Sequence, residues 1–176
     1  MRIKPDAPSP NYEVAPGLRG YRTVEVMANA GDWDLPYAVT ATMEARDGKY
    51  VVTRLVVEEV EGGPTVQRGE LAKISMDPFI RAAASETVLE RAGKTPDASK
   101  RLASGALNDF VDRVRTNGLT DDDLPTLAEL YRWIRLQEGK PTAVLATELD
   151  LSTATVKRWL SRAVEAGHLT QAERTK

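Results

Sequence analysis

The chain has 176 residues, with 24 Lys and Arg against 26 Asp and Glu, a formal net charge of −2 and no cysteine. That length suits one or two small domains, and the missing cysteines exclude a disulfide frame, a thiolate nucleophile and a Cys-rich zinc site. A hydrophobic content of 41% with 28% charged residues is that of a globular protein. No apolar run reaches membrane-spanning length, and MRIKPDAPSPNYEV has no signal-peptide core, so a cytoplasmic protein is expected.

In chain order, residues 1–20 carry four prolines and no periodicity, which predicts an extended N-terminal tail. Tyr21 to Ala28 alternates, with Val24, Val26 and Ala28 on one face. Tyr37 to Arg46 alternates more strictly, with Tyr37, Val39, Ala41, Met43 and Ala45 on one face and Thr40, Thr42, Glu44 and Arg46 on the other. Asp47-Gly48 offers the two left-handed residues of a tight hairpin turn, and the β-branched run KYVVTRLVVEEV (Lys49 to Val60) pairs back. The expectation is a three-stranded antiparallel sheet. From Thr65 to Arg91 the spacing becomes helical. Leu71 and Ile74 suit a short helix, and after a break at Ser75 to Pro78 an apolar stripe of Phe79, Ile80, Ala83, Ala84, Val88 and Leu89 covers one sheet face. Residues 21–91 therefore read as an α+β domain for dimerisation, ligand or partner binding. Residues 92–119 read as a linker, AGKTPDASK, followed by a bracing helix from Leu102 to Arg115 (Leu107, Phe110, Val111, Val114).

Residues 120–176 read as a separate unit of three helices. Thr120 caps the first, with Asp121, Asp122 and Asp123 in the turn where the helix dipole favours anions. This helix buries Leu124, Leu127, Leu130, Tyr131, Ile134 and Leu136 and stops near Glu138-Gly139. The second opens at Pro141 and runs through Val144, Leu145 and Ala146 to Leu149. The third spans Thr153 to Ala166, closed by Gly167. From Leu124 onward eight basic residues oppose six acidic ones, so this part is +2 and the preceding 123 residues are −4. A mildly basic C-terminal unit sits on an acidic body.

The second and third helices have the residue pattern of a helix-turn-helix. Ala146 is small where two helices must cross closely, Leu149 and Leu151 are apolar at the turn, and Ser152 caps the next helix. Val156, Trp159 or Leu160, Ala163 and Val164 point inward. Ser152, Thr153, Ala154, Lys157, Arg158 and Ser161 are left outward as candidates for base contacts in the DNA major groove, short groups approaching base edges and long cations reaching guanine or phosphate. Lys140, Thr142, Arg162 and Arg174 are candidates for the phosphate backbone.

The run GKPTAVLATELDLSTATVKRWLSRAVEAGHL resembles the helix-turn-helix module of DNA-binding proteins from actinobacteria and their phages. Such modules have a Gly-x-Pro-Thr opening, an Ala-x-x-Leu helix, a Ser-x-x-Thr recognition helix with Arg-Trp, and an Ala-x-x-x-Gly-x-Leu end. LTDDDLPTLAELY resembles their first helix, and RGELAKISMDPFIRAA is similar to a segment preceding them. The resemblance covers roughly the last third of the chain and implies double-stranded DNA as partner and transcriptional regulation, for instance as a repressor. Many relatives have Gly in the turn where this chain has Asp150, a residue that also tolerates a left-handed conformation. After Leu169 only TQAERTK follows, too short for a wing, so Arg174 and Lys176 are expected on a loose tail.

No residue set reads as an active site, and no cofactor or metal is expected. His168, the lone histidine, suits a helix end. Glu58, Glu59 and Glu61 suit a solvated hairpin edge, and GDWD and EGGP are turns without the Gly-Lys-Ser/Thr of a phosphate loop. Trp33 and Tyr37 read as core aromatics in preference to a ligand pocket. The fold expected is α+β, an N-terminal three-stranded antiparallel sheet with helices and a wingless C-terminal trihelical helix-turn-helix. With so few cations a single reader binds weakly, which favours a homodimer through the N-terminal domain. The alternative is a non-enzymatic structural or adaptor protein, such as a phage packaging or assembly component, whose helices hold protein or non-specific DNA.

Overall fold

A computed structural model of the chain describes residues 1–90, 106–137 and 140–175. The protein is α+β, with antiparallel strands and several helices in two compact units, Met1–Leu89 and Glu90–Lys176. The linker expected over 92–100, the helix stop at Glu138-Gly139 and Lys176 lie outside the described residues.

The first unit holds a four-stranded antiparallel sheet, not the three-stranded one expected. Its strands are β1 (Arg2–Pro5), β4 (Thr23–Ala28), β5 (Ala38–Arg46) and β6 (Lys49–Glu58), in the order β1-β4-β5-β6. The extra strand comes from the segment expected as a tail. Pro5 closes β1 at a sheet edge, where a missing N–H breaks no ladder on the outer side. The rest of that segment builds β2 (Tyr12–Ala15) and β3 (Leu18–Gly20), which form a second, three-stranded sheet with β7 (Leu89–Glu90). Gly17, at φ 83, makes the β2–β3 turn, and Val14, Ala15 and Leu18 are buried there. A Pro-rich stretch thus hides short strands, two of which, β1 and β3, pair with segments distant in sequence.

The alternation read in β4 and β5 is realised. Val24, Val26 and Ala28 are buried beside Tyr37, Val39, Ala41, Met43 and Ala45, while the opposite face remains half-buried. Asp47 (φ 52) and Gly48 (φ 74) form the left-handed hairpin turn. After the short helix α1 (Arg68–Leu71), helix α2 (Asp77–Thr87) packs its Phe79, Ala82, Ala83 and Ala84 across the sheet. Trp33 departs from expectation. It is 38% exposed, in an edge-to-face contact with Phe79, and borders a cavity of about 440 Å³. Tyr37 is buried as read.

The second unit contains α3 (Ala106–Asn117), α4 (Leu124–Gln137), α5 (Pro141–Glu148), α6 (Thr153–Glu165) and α7 (Gln171–Thr175). Helices α4, α5 and α6 pack against one another around Leu127, Leu130, Leu136, Leu145, Leu149, Val156 and Leu160. The bracing helix belongs here. Phe110, Val111 and Val114 of α3 are buried, Arg113 pairs with Asp123, and Arg115 hydrogen-bonds carbonyls at the end of α5. The C-terminal residues are a helix and not a loose tail, because Glu173 of α7 is drawn in by Arg132, 2.5 Å away. No described helix is long and apolar enough to cross a membrane.

Candidate nucleic-acid interface

Helix α5 ends, and α6 begins, through a turn whose geometry follows from its residues. Asp150 adopts φ 54, the Leu151 N–H donates to the Ala146 carbonyl at 2.9 Å, and the Asp150 N–H donates to the Thr147 carbonyl at 3.2 Å. That is the helix-ending pattern in which one left-handed residue lets the chain turn back. Helix α6 ends in the same way. There Gly167 has φ 77, His168 N–H reaches the Ala163 carbonyl at 2.9 Å and Gly167 N–H reaches Val164 at 3.0 Å. The short Asp side chain at 150 serves where glycine serves at 167.

Ser152 then starts α6. Its Oγ accepts from the Thr155 N–H at 3.1 Å and lies 2.9 Å from the Thr155 hydroxyl, satisfying a donor the first turn would leave orphaned. Val156, Trp159, Leu160 and Ala163 are buried, and Ala146 is 6% exposed against them. Thr153, Ala154, Lys157 and Arg158 are exposed on the opposite side, and Ser161 is half-buried with its hydroxyl donating to the Lys157 carbonyl at 3.1 Å. Five of the six residues read as base contacts therefore share one stripe, with Ser152 at its N-terminal end as the cap.

The four backbone candidates do not behave alike. Lys140 is exposed at the start of α5. Thr142 is half-buried and faces the Tyr131 hydroxyl. Arg162 donates to Asp121 at 2.6 Å, tying α6 to the turn before α4. Arg174 is half-buried on α7, not on a tail. Periodicity along one helix gives no signal for a partner on another, so sequence reasoning missed these assignments and the roles of Arg113, Arg115 and Arg132.

Two buried carboxylates set the electrostatics behind the stripe. Burial alone would raise the pKa of Asp123. The Arg113 guanidinium and the Thr120 N–H and hydroxyl, both donating to it, outweigh burial and hold it below the ordinary value. Glu173 is likewise opposed by burial but held low by Arg132 and by the N–H and hydroxyl of Thr170. Both anions are structural pins, while Lys157 and Arg158 stay exposed on α6. Among the described residues no group of His, Asp and Glu is arranged to hold a metal ion.

Comparison of the chain with known protein families, with characterised proteins and with solved structures gives no match.

Proposed function

We propose that helices α4, α5 and α6 of the second unit form a trihelical helix-turn-helix that binds double-stranded DNA sequence-specifically and serves transcriptional control, in a cell or a resident phage. The observation that carries this reading is the division of α6. One side is packed, while the other presents Thr153, Ala154, Lys157 and Arg158 on a capped helix. Short groups beside long cations suit an approach to base edges, with Lys157 and Arg158 directed to guanine or phosphate. Ser161 lies at the rim, and Lys140 with the start of α5 meets the backbone. Arg162 ties α6 to Asp121, and Thr142 ties α5 to Tyr131. The protein acts by binding and not by catalysis.

The test is selection of bound fragments from sheared genomic DNA of the source organism near physiological salt, with wild type beside Lys157→Ala/Arg158→Ala. The reading expects a few discrete sites enriched by wild type and none by the variant. If neither enriches DNA, or both retain it alike, the reading fails and the adaptor alternative takes its place, with α6 contacting protein through apolar neighbours.

A further inference from the structure

Strand β6 lies at the outer edge of its sheet, and no described strand pairs with its outer side. Its ten residues, KYVVTRLVVE, mirror themselves from the two ends inward. Lys49 corresponds to Glu58, Tyr50 to Val57, Val51 to Val56, Val52 to Leu55 and Thr53 to Arg54. In a regular strand the members of each such pair would point to opposite faces. A bulge removes the conflict. On β5, Thr42 pairs with Arg54 but Met43 with Val52, so Thr53 is the extra residue and the alternation shifts across it. Tyr50, Val52, Leu55 and Val57 consequently stand opposite the buried Ala45, Met43, Ala41 and Val39. Lys49, Val51, Arg54, Val56 and Glu58 share the other face. Both members of each of the four outer pairs lie on one face.

We propose that two copies of this chain associate by antiparallel pairing of β6 with β6, about a twofold axis at Thr53 and Arg54. Each four-stranded sheet continues into the other. Lys49 of each copy then faces Glu58 of the second, Val51 faces Val56, and Val52 covers Leu55. The strand presents what such a partner would complete. Leu55 is 41% exposed although Ala41 beside it is fully buried. Among the described residues Lys49 and Glu58 have no ion-pair partner, and Lys49 stands across the hairpin from Arg46, a like charge. Bulges and cations commonly guard an edge against pairing. Here both sit on the axis, and the apolar flanks to either side stay regular. The inference stands apart from the DNA-binding reading, though a dimer supplies the second reading helix that a weakly basic unit lacks.

The experiment is sedimentation equilibrium of the full chain, with circular dichroism as a check on folding. Wild type is expected to dimerise in roughly the micromolar range. Lys49→Glu sets like charges at both ends of the paired strands and should weaken association by roughly ten- to thirtyfold. Lys49→Glu/Glu58→Lys should restore it. Leu55→Arg, at a position already exposed, should also break the dimer without unfolding the chain. A monomeric wild type, a dimer indifferent to Lys49→Glu, or a folded charge-swap variant that stays monomeric would each overturn the proposal.

Discussion

The guanidinium of Arg115 lies 2.8 Å from the carbonyl oxygen of Glu148, and its Nε lies 3.3 Å from that of Leu149. A cation from α3 thus closes the C-terminal end of α5, where helix carbonyls lack partners and the dipole is negative. Arg115→Ala should lower stability by about 1 kcal/mol, because the group is exposed and water partly replaces it. Arg115→Lys keeps the charge but not the two-point contact, so it should recover part of the loss. Thermal unfolding followed by circular dichroism measures both, and an Arg115→Ala melting point equal to wild type would remove the brace from the account.

Asp150 holds a left-handed conformation beside the exposed face of α6. Asn tolerates that conformation as well as Asp does and carries no charge. Asp150→Asn should leave stability within about 0.5 kcal/mol and tighten DNA binding severalfold at low salt. Asp150→Ala should instead cost about 1 kcal/mol, because Ala enters the left-handed region less readily than Asp. Titration of a selected DNA site, alongside chemical denaturation, separates the two effects.

The Ser152 hydroxyl can be dissected in the same way. Ser152→Ala removes the cap and should destabilise the second unit by about 1 kcal/mol. Ser152→Asp retains a capping acceptor but adds negative charge at the end of the outward stripe. It should keep near-native stability while losing DNA affinity. Equal DNA binding by Ser152→Asp and wild type would place the contact surface elsewhere.

Asp123 and Glu173 both have folded pKa values below their ordinary ones. A depressed carboxyl binds its proton less readily in the folded chain than in the unfolded one. Its stabilising contribution is therefore complete above the unfolded value of about 4 and is lost as pH falls through the lower folded value. The second unit should weaken in acid over that window. Asp123→Asn and Glu173→Gln should each lower stability at neutral pH and flatten the acid decline. Urea midpoints across the acid range provide the check, and an unchanged acid slope in both variants would contradict the assignment.

Much of the candidate surface is legible in the sequence. Val156, Trp159, Leu160 and Ala163 repeat at helical spacing, so the opposite stripe of Thr153, Ala154, Lys157 and Arg158 follows from the 3.6-residue period. Ser152 and Gly167 mark the helix ends through interactions within a few residues, and Asp47-Gly48 marks its hairpin for the same reason. β1 escaped because four residues containing a proline carry too weak an alternation, and their pairing with β4 is non-local.

The sequence by itself determined most local elements of this protein: the alternating strands β4 and β5, the hairpin into β6, and the helices α4 to α6 with their caps and turns. Each depends on neighbours within one helical turn or across one hairpin. Only the tertiary structure decided which partners the cations take. Arg162 is held by Asp121, Arg115 by the end of α5, Arg132 by Glu173 and Arg113 by Asp123. These pairings join residues ten to 41 positions apart. A charge pattern along the chain does not encode such distances, because a long side chain takes whichever partner the packed helices bring within reach.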